Sequence, residues 1–180
     1  MKLVCVIGSL REKSFNRALF NAIQEIAPKG VEIEEAPIKD IPVYNADNET
    51  PLPQSVVAFK EALESADGII LISPEYNRSI PGALKNAIDW ASRPAKKSSW
   101  YQRPVAVMGA TSGSLGTSAM QLHLKGVLAH MGTRLMGFPE FFMSTANEKL
   151  NEDGTVVTDP HTREKITSFV ESFVEHIQKR

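Results

Sequence analysis

Gly8-Ser9-Leu10-Arg11-Glu12-Lys13-Ser14-Phe15-Asn16 follows directly on the apolar run Leu3-Val4-Cys5-Val6-Ile7. A near-continuous apolar run ended by glycine reads as a strand buried on both faces. Beyond it, Phe15, Ala18, Leu19, Ala22, Ile23 and Ile26 recur at helical spacing, so the segment is strand, polar loop, helix. The pattern returns twice: Ile69-Ile70-Leu71-Ile72 runs into Ser73-Pro74, and Val105-Ala106-Val107-Met108 into Gly109. Val31-Glu32-Ile33-Glu34 alternates instead, as a strand near a sheet edge does.

Helical stripes fill the intervals. Val56, Phe59 and Leu63 form one, and Ala83, Leu84, Ala87, Ile88 and Ala91 the next. Met120, Leu124, Val127, Leu128 and Met131 form another, and Ile166, Phe169, Val170, Phe173, Val174 and Ile177 close the chain. Regular strand-helix alternation with right-handed crossovers predicts an α/β, doubly wound, five-stranded parallel sheet with helices on both faces. The 180 residues suit a single domain, 1–180, of the flavodoxin-like kind, strand order 2-1-3-4-5. That order puts the ligand crevice between the carboxyl ends of strands 1 and 3, and so selects the segments after Ile7 and Ile72.

After Ile7, a helix start near Ser14 supplies free backbone N–H groups and a favourable dipole, and Ser9, Arg11, Ser14 and Asn16 can add side-chain donors. The bland alternative makes Ser14 an N-cap and Arg11 a solvated cation. The loop lacks the G-x-G-x-x-G of dinucleotide folds and the Gly-Lys-Ser/Thr of a Walker loop, and suits a terminal monophosphate. After Ile72 comes Pro74-Glu75-Tyr76-Asn77-Arg78-Ser79-Ile80-Pro81-Gly82. Pro74 halts the ladder and Pro81 suits a helix start, leaving a short constrained loop able to face a flat heterocycle. Tyr76 can lie beside such a ring, while Glu75 and Asn77 fix the loop. Lys85 and Asp89, four apart, are expected to pair.

These two segments resemble the signatures of the NADPH-dependent FMN reductase family, which includes quinone, azo-dye and chromate reductases. The first matches G-S-x-R-x-x-S-x-N and the second P-E-Y-N-x-S-x-P-G-x-L-K-N-A-I-D-W without a gap. The resemblance implies that Ser9, Arg11, Ser14 and Asn16 surround an FMN phosphate, that Phe15 belongs to the same cofactor-binding set, and that Pro74, Glu75, Tyr76 and Asn77 contact the isoalloxazine. It also sets the loop Ala110 to Thr117 against the flavin, with Thr111, Ser112 and Gly113 as its contacts. Relatives often carry Gly-Gly where Gly116-Thr117 stands. The implied activity is hydride transfer from NADPH or NADH through FMN to small-molecule acceptors such as quinones, azo compounds, chromate or free flavin, with ping-pong kinetics. No side chain need act as acid or base. The rival is a flavodoxin-like electron carrier without its own nicotinamide site; Arg11 in the phosphate loop and a net charge of −1 speak for the enzyme. Arg78 and Arg93 are the candidates for reading a 2′-phosphate.

With 20 basic and 21 acidic residues there is no general attraction for nucleic acid or anionic membrane. Cys5, the only cysteine, excludes an internal disulfide and suits a reducing compartment; it reads as a small buried hydrophobe. The start shows no signal-peptide pattern and no apolar run approaches the ~20 residues of a membrane span, so a cytoplasmic protein is expected. Ser112-Gly113-Ser114-Leu115-Gly116 lacks the first glycine of a nucleophile elbow, which leaves a hydrolase unsupported. The histidines at 123, 130, 161 and 176 have no metal-ligand spacing. Opposite the core stripe of the fourth helix, Ala119, Leu122, Gly126 and Ala129 form a small apolar face, read as a subunit contact of a homodimer or homotetramer.

Overall fold

The computed structural model describes residues Met1 to Lys179. Its strands are β1 (Lys2–Ile7), β2 (Glu32–Glu35), β3 (Gly68–Ile72), β4 (Pro104–Ala110), β5 (Arg134–Leu135) and β6 (Phe141–Met143). Its helices are α1 (Phe15–Ile26), α2 (Gln54–Ser65), α3 (Gly82–Ala91), α4 (Ser118–His130) and α5 (Pro160–Gln178). The sheet runs β2-β1-β3-β4-β5 and every pairing is parallel, the order read from the sequence.

The fifth position is shared. β5 pairs with the start of β4 (Pro104↔Arg134) and β6 with its end (Ala110↔Met143). Met136, Gly137, Phe138, Pro139 and Glu140 separate the two segments, and neither is long enough to show a period of its own.

β1, β3 and β4 are buried almost along their whole length because helices cover both faces. Successive side chains of a strand point to opposite faces. Accordingly Leu3, Cys5 and Ile7 join a core with α1 and α5, while Val4 and Val6 join one with α2, α3 and α4. Each fully buried Leu or Ile contributes about 1.5–3 kcal/mol to these two cores. Burial drives the Cys5 thiol pKa upward, so it stays protonated and inert. β2 lies at the edge with Glu32 exposed, as its alternation required.

Close approach dictates one glycine. At Gly109, near the end of β4, a Cβ would stand 2.1 Å from the Ser73 carbonyl oxygen and 2.7 Å from Thr117 Oγ1. Only glycine lets the exit of β3 and the entry of α4 meet there.

Candidate functional site

The carboxyl ends of β1, β3 and β4 lie in register, Ile7 beside Ile72 and Ile72 beside Met108, so the loops leaving them converge. Between them lies a crevice of about 140 Å³ lined by Ser9, Arg11, Ser14, Phe15 and Asn16, by Pro74, Glu75 and Tyr76, and by Ala110, Thr111 and Ser112. Larger hollows exist, about 680 Å³ at the far ends of α3 and α4, about 450 Å³ between Phe138 and the end of α5, about 330 Å³ at the start of α5 and about 210 Å³ beside the start of α2. None of these sits at the switch point of the sheet, where an α/β fold presents helix N-termini to a ligand.

The first loop brings hydroxyls and amides together. Ser14 caps α1: its Oγ accepts from the Arg17 N–H at 3.0 Å and keeps its own O–H to donate. The amides of Phe15 and Asn16, in the first turn, have no acceptor among the described residues. The exposed Arg11 guanidinium touches only the Lys13 carbonyl oxygen, at 3.2 Å, and has no carboxylate partner among the described residues. Arg17 differs: it is paired with Glu35, Nη2 to Oε1 at 2.7 Å, and that hydrogen bond raises its pKa further. The open positive charge at the crevice is therefore that of Arg11.

Asn16 has a second task that sequence reasoning missed. It is buried, its Nδ2 donating to the Ala110 carbonyl at 3.1 Å while its Oδ1 accepts from the Ala110 N–H at 2.9 Å. One N–H of the amide remains for a ligand. Asn16 thus clamps the start of α1 to the end of β4 rather than serving chiefly as a free donor. Nothing short of the fold reveals a pairing 94 residues apart.

The second loop is a tight hairpin. Tyr76 and Ser79 exchange backbone hydrogen bonds at 3.0 and 2.9 Å, and Asn77 and Arg78 between them have φ of 50° and 65°. Two consecutive positive φ values are what a type I′ turn demands, and asparagine tolerates them best among non-glycine residues. Tyr76 is 48% exposed beside the crevice, whereas Asn77 sits at the turn and outside its lining. Glu75 fixes the loop, its Oε2 accepting from the Met120 N–H at 3.0 Å. Lys85 and Asp89 pair at 2.7 Å.

In the third loop Thr111 and Ser112 reach the crevice and Gly113 lies outside its lining. Thr117 is fully buried and its Oγ1 accepts from Gln121 Nε2 at 3.0 Å, so it serves packing. The hydroxyl beside His123 is that of Ser79, 2.8 Å from Nδ1, and not one of the Ser112 segment. Arg93 lies at the far end of α3, 3.6 Å from Glu49 and over the Tyr44 ring. Arg78, at the hairpin tip, stays 67% exposed.

A flavodoxin-like sheet whose switch point gathers free amides, hydroxyls, one uncompensated arginine and an aromatic hairpin defines a mononucleotide-binding protein. The NADPH-dependent FMN reductase family model matches residues 1–148. The chain is 37% identical to a 2-hydroxy-1,4-benzoquinone reductase of a Burkholderia species, covering 100% of this chain and 98% of that one. It is 36% identical to a quinone reductase of Escherichia coli K12, covering 99% and 96%. The solved structure of FerB from Paracoccus denitrificans, a flavoenzyme NAD(P)H:(acceptor) oxidoreductase, superposes with a TM-score of 0.91 at 40% identity, covering 99% of this chain and 97% of that one. The chain belongs to the NADPH-dependent FMN reductase family.

The donor set fits the family's cofactor. A phosphate monoester is matched by the Phe15 and Asn16 amides, the Ser9 and Ser14 hydroxyls and Arg11. A flat ring system is matched by Tyr76 and the narrow hairpin wall.

Proposed function

We propose that this protein is an FMN-dependent oxidoreductase that takes hydride from NADPH or NADH and passes the electrons to small acceptors, quinones foremost. The observation that carries the reading is the convergence of the three loops on one crevice with Arg11 unneutralised. Ser9, Arg11, Ser14, Phe15 and Asn16 would hold the phosphate end, and Pro74, Glu75, Tyr76 and Asn77 the ring. Thr111, Ser112 and Gly113 would close the third side. FMN bound there supplies the hydride and electron chemistry, so the protein's part is binding and orientation. The α1 amides and Arg11 would anchor its anionic tail, and the hairpin would face its ring. No general acid or base is called for, because hydride transfer needs only the flavin and the nicotinamide held together.

Quinones are the favoured acceptors because two relatives similar along the full chain are named for quinone reduction. We further propose that residues 1–180 act as one cytoplasmic domain and that the exposed face of α4, with Leu122 77% exposed, packs against a second subunit. Among the described residues no helix is long and apolar enough to cross a membrane. Anaerobic addition of NADPH or NADH to the FMN-loaded protein tests the function: the flavin band should bleach at once and return on addition of a benzoquinone. A flavin that neither nicotinamide reduces would make the chain an electron carrier instead.

A further inference from the structure

Helix α4 begins without a cap of its own. Its N-cap residue Thr117 makes no capping hydrogen bond, because its buried hydroxyl is taken up by Gln121. A cap side chain normally accepts from the second or third amide of the helix. Here the third, Met120 N–H, is accepted at 3.0 Å by Glu75 Oε2, from a loop 45 residues earlier. The Glu75 side chain is only 12% exposed; its Oε1 lies 3.9 Å from the exposed Arg78 guanidinium, and its Oε2 faces the positive end of α4 with little water between. One turn further along the same side, His123 Nδ1 and Ser79 Oγ lie 2.8 Å apart. The hairpin is thereby tied to α4 at both of its ends. Glu75 lines the second side of the crevice, and the loop whose Thr111 and Ser112 line the third side runs on through Thr117 into α4.

We propose that Glu75 is a positioning residue: its carboxylate is the N-cap of α4 supplied from across the crevice, and this contact sets the spacing of the hairpin and third-loop walls that receive the flavin ring. The inference rests on the flavin-site reading above for its second half only; the cap itself does not depend on it. Loss of the carboxylate frees the α4 amide and lets the two walls part. The conservative amide retains an acceptor oxygen in the same place and loses only the charge.

Amide hydrogen exchange on the FMN-free protein tests the cap, and FMN titration tests the spacing. In Glu75→Ala, exchange at Met120 should quicken by about fivefold, the usual effect of losing a cap. FMN should bind about three- to tenfold more weakly, and its visible circular dichroism band should change shape. Glu75→Gln should restore most of the amide protection and of the affinity. Unchanged Met120 exchange in folded Glu75→Ala overturns the cap. Faster exchange with unaltered FMN affinity and band shape overturns the spacing role. Wild-type protein that binds no FMN overturns the flavin-site reading, and the exchange result then decides the cap by itself.

Discussion

The side chain of Asn16 pairs with both backbone groups of Ala110, donating at 3.1 Å and accepting at 2.9 Å, and so joins the phosphate-side helix to the strand that carries the third loop. Both groups of Ala110 are buried there and have no water to fall back on. Replacing Asn16 by Ala should lower stability by about 2–4 kcal/mol, since two buried polar groups lose their partner. Urea unfolding of the FMN-free protein measures this, and a loss below the scatter of a surface substitution would contradict the clamp.

Arg11 does not hold the fold together, so Arg11→Ala should leave the melting temperature of the FMN-free protein nearly unchanged. The FMN dissociation constant should rise by about 10- to 150-fold, the value of a charge-assisted contact of 1.5–3 kcal/mol. Riboflavin, lacking the phosphate, should bind equally to both proteins. Fluorescence-quenching titrations with the two flavins decide the matter; an equal loss for riboflavin would move Arg11 away from the phosphate.

Gly109 tolerates no Cβ, because one would sit 2.1 Å from the Ser73 carbonyl oxygen. Gly109→Ala should cost more than about 3 kcal/mol or force β3 and β4 to shift at the site. Thermal melting and FMN affinity should fall together. A variant as stable and as avid as the parent would show that the strand ends are not this tightly packed.

Asp159 caps α5, its Oδ2 accepting from Thr162 N–H at 2.8 Å and from the Thr162 hydroxyl at 2.6 Å, and these hydrogen bonds hold its pKa below the ordinary carboxylate value. A depressed folded-state pKa means stability that is present above the unfolded value near 3.9 and lost as pH falls through the folded one. Asp159→Ala should therefore lower the melting temperature by about 2–4 °C at neutral pH. The difference from the parent should shrink as pH drops below about 4. A gap that persists undiminished in acid would rule out the charged cap.

Most of the sheet was legible because Leu3 to Ile7, Ile69 to Ile72 and Val105 to Met108 are uninterrupted apolar runs, and long stripes such as Ile166 to Ile177 leave no choice but helix. Ser14 and Arg11 were legible because a helix start at a strand end restricts what their groups can meet. The split of the fifth strand was not legible: Arg134–Leu135 is held by pairing with β4 and by nothing periodic in itself. Nor was the engagement of Asn16 with Ala110 or of Glu75 with Met120, since both depend on strand ends brought together by the finished sheet. The positive φ at Asn77, which seats that residue at the tip of the hairpin, was likewise invisible until the turn was closed.

The proposed function requires FMN seated across the ends of β1, β3 and β4. Gel filtration of the protein after incubation with excess FMN, read by visible absorbance, tests that most directly. About one flavin per chain should travel with the protein peak, its band shifted from that of free FMN. Flavin recovered wholly in the small-molecule fraction, with colourless protein, would contradict it.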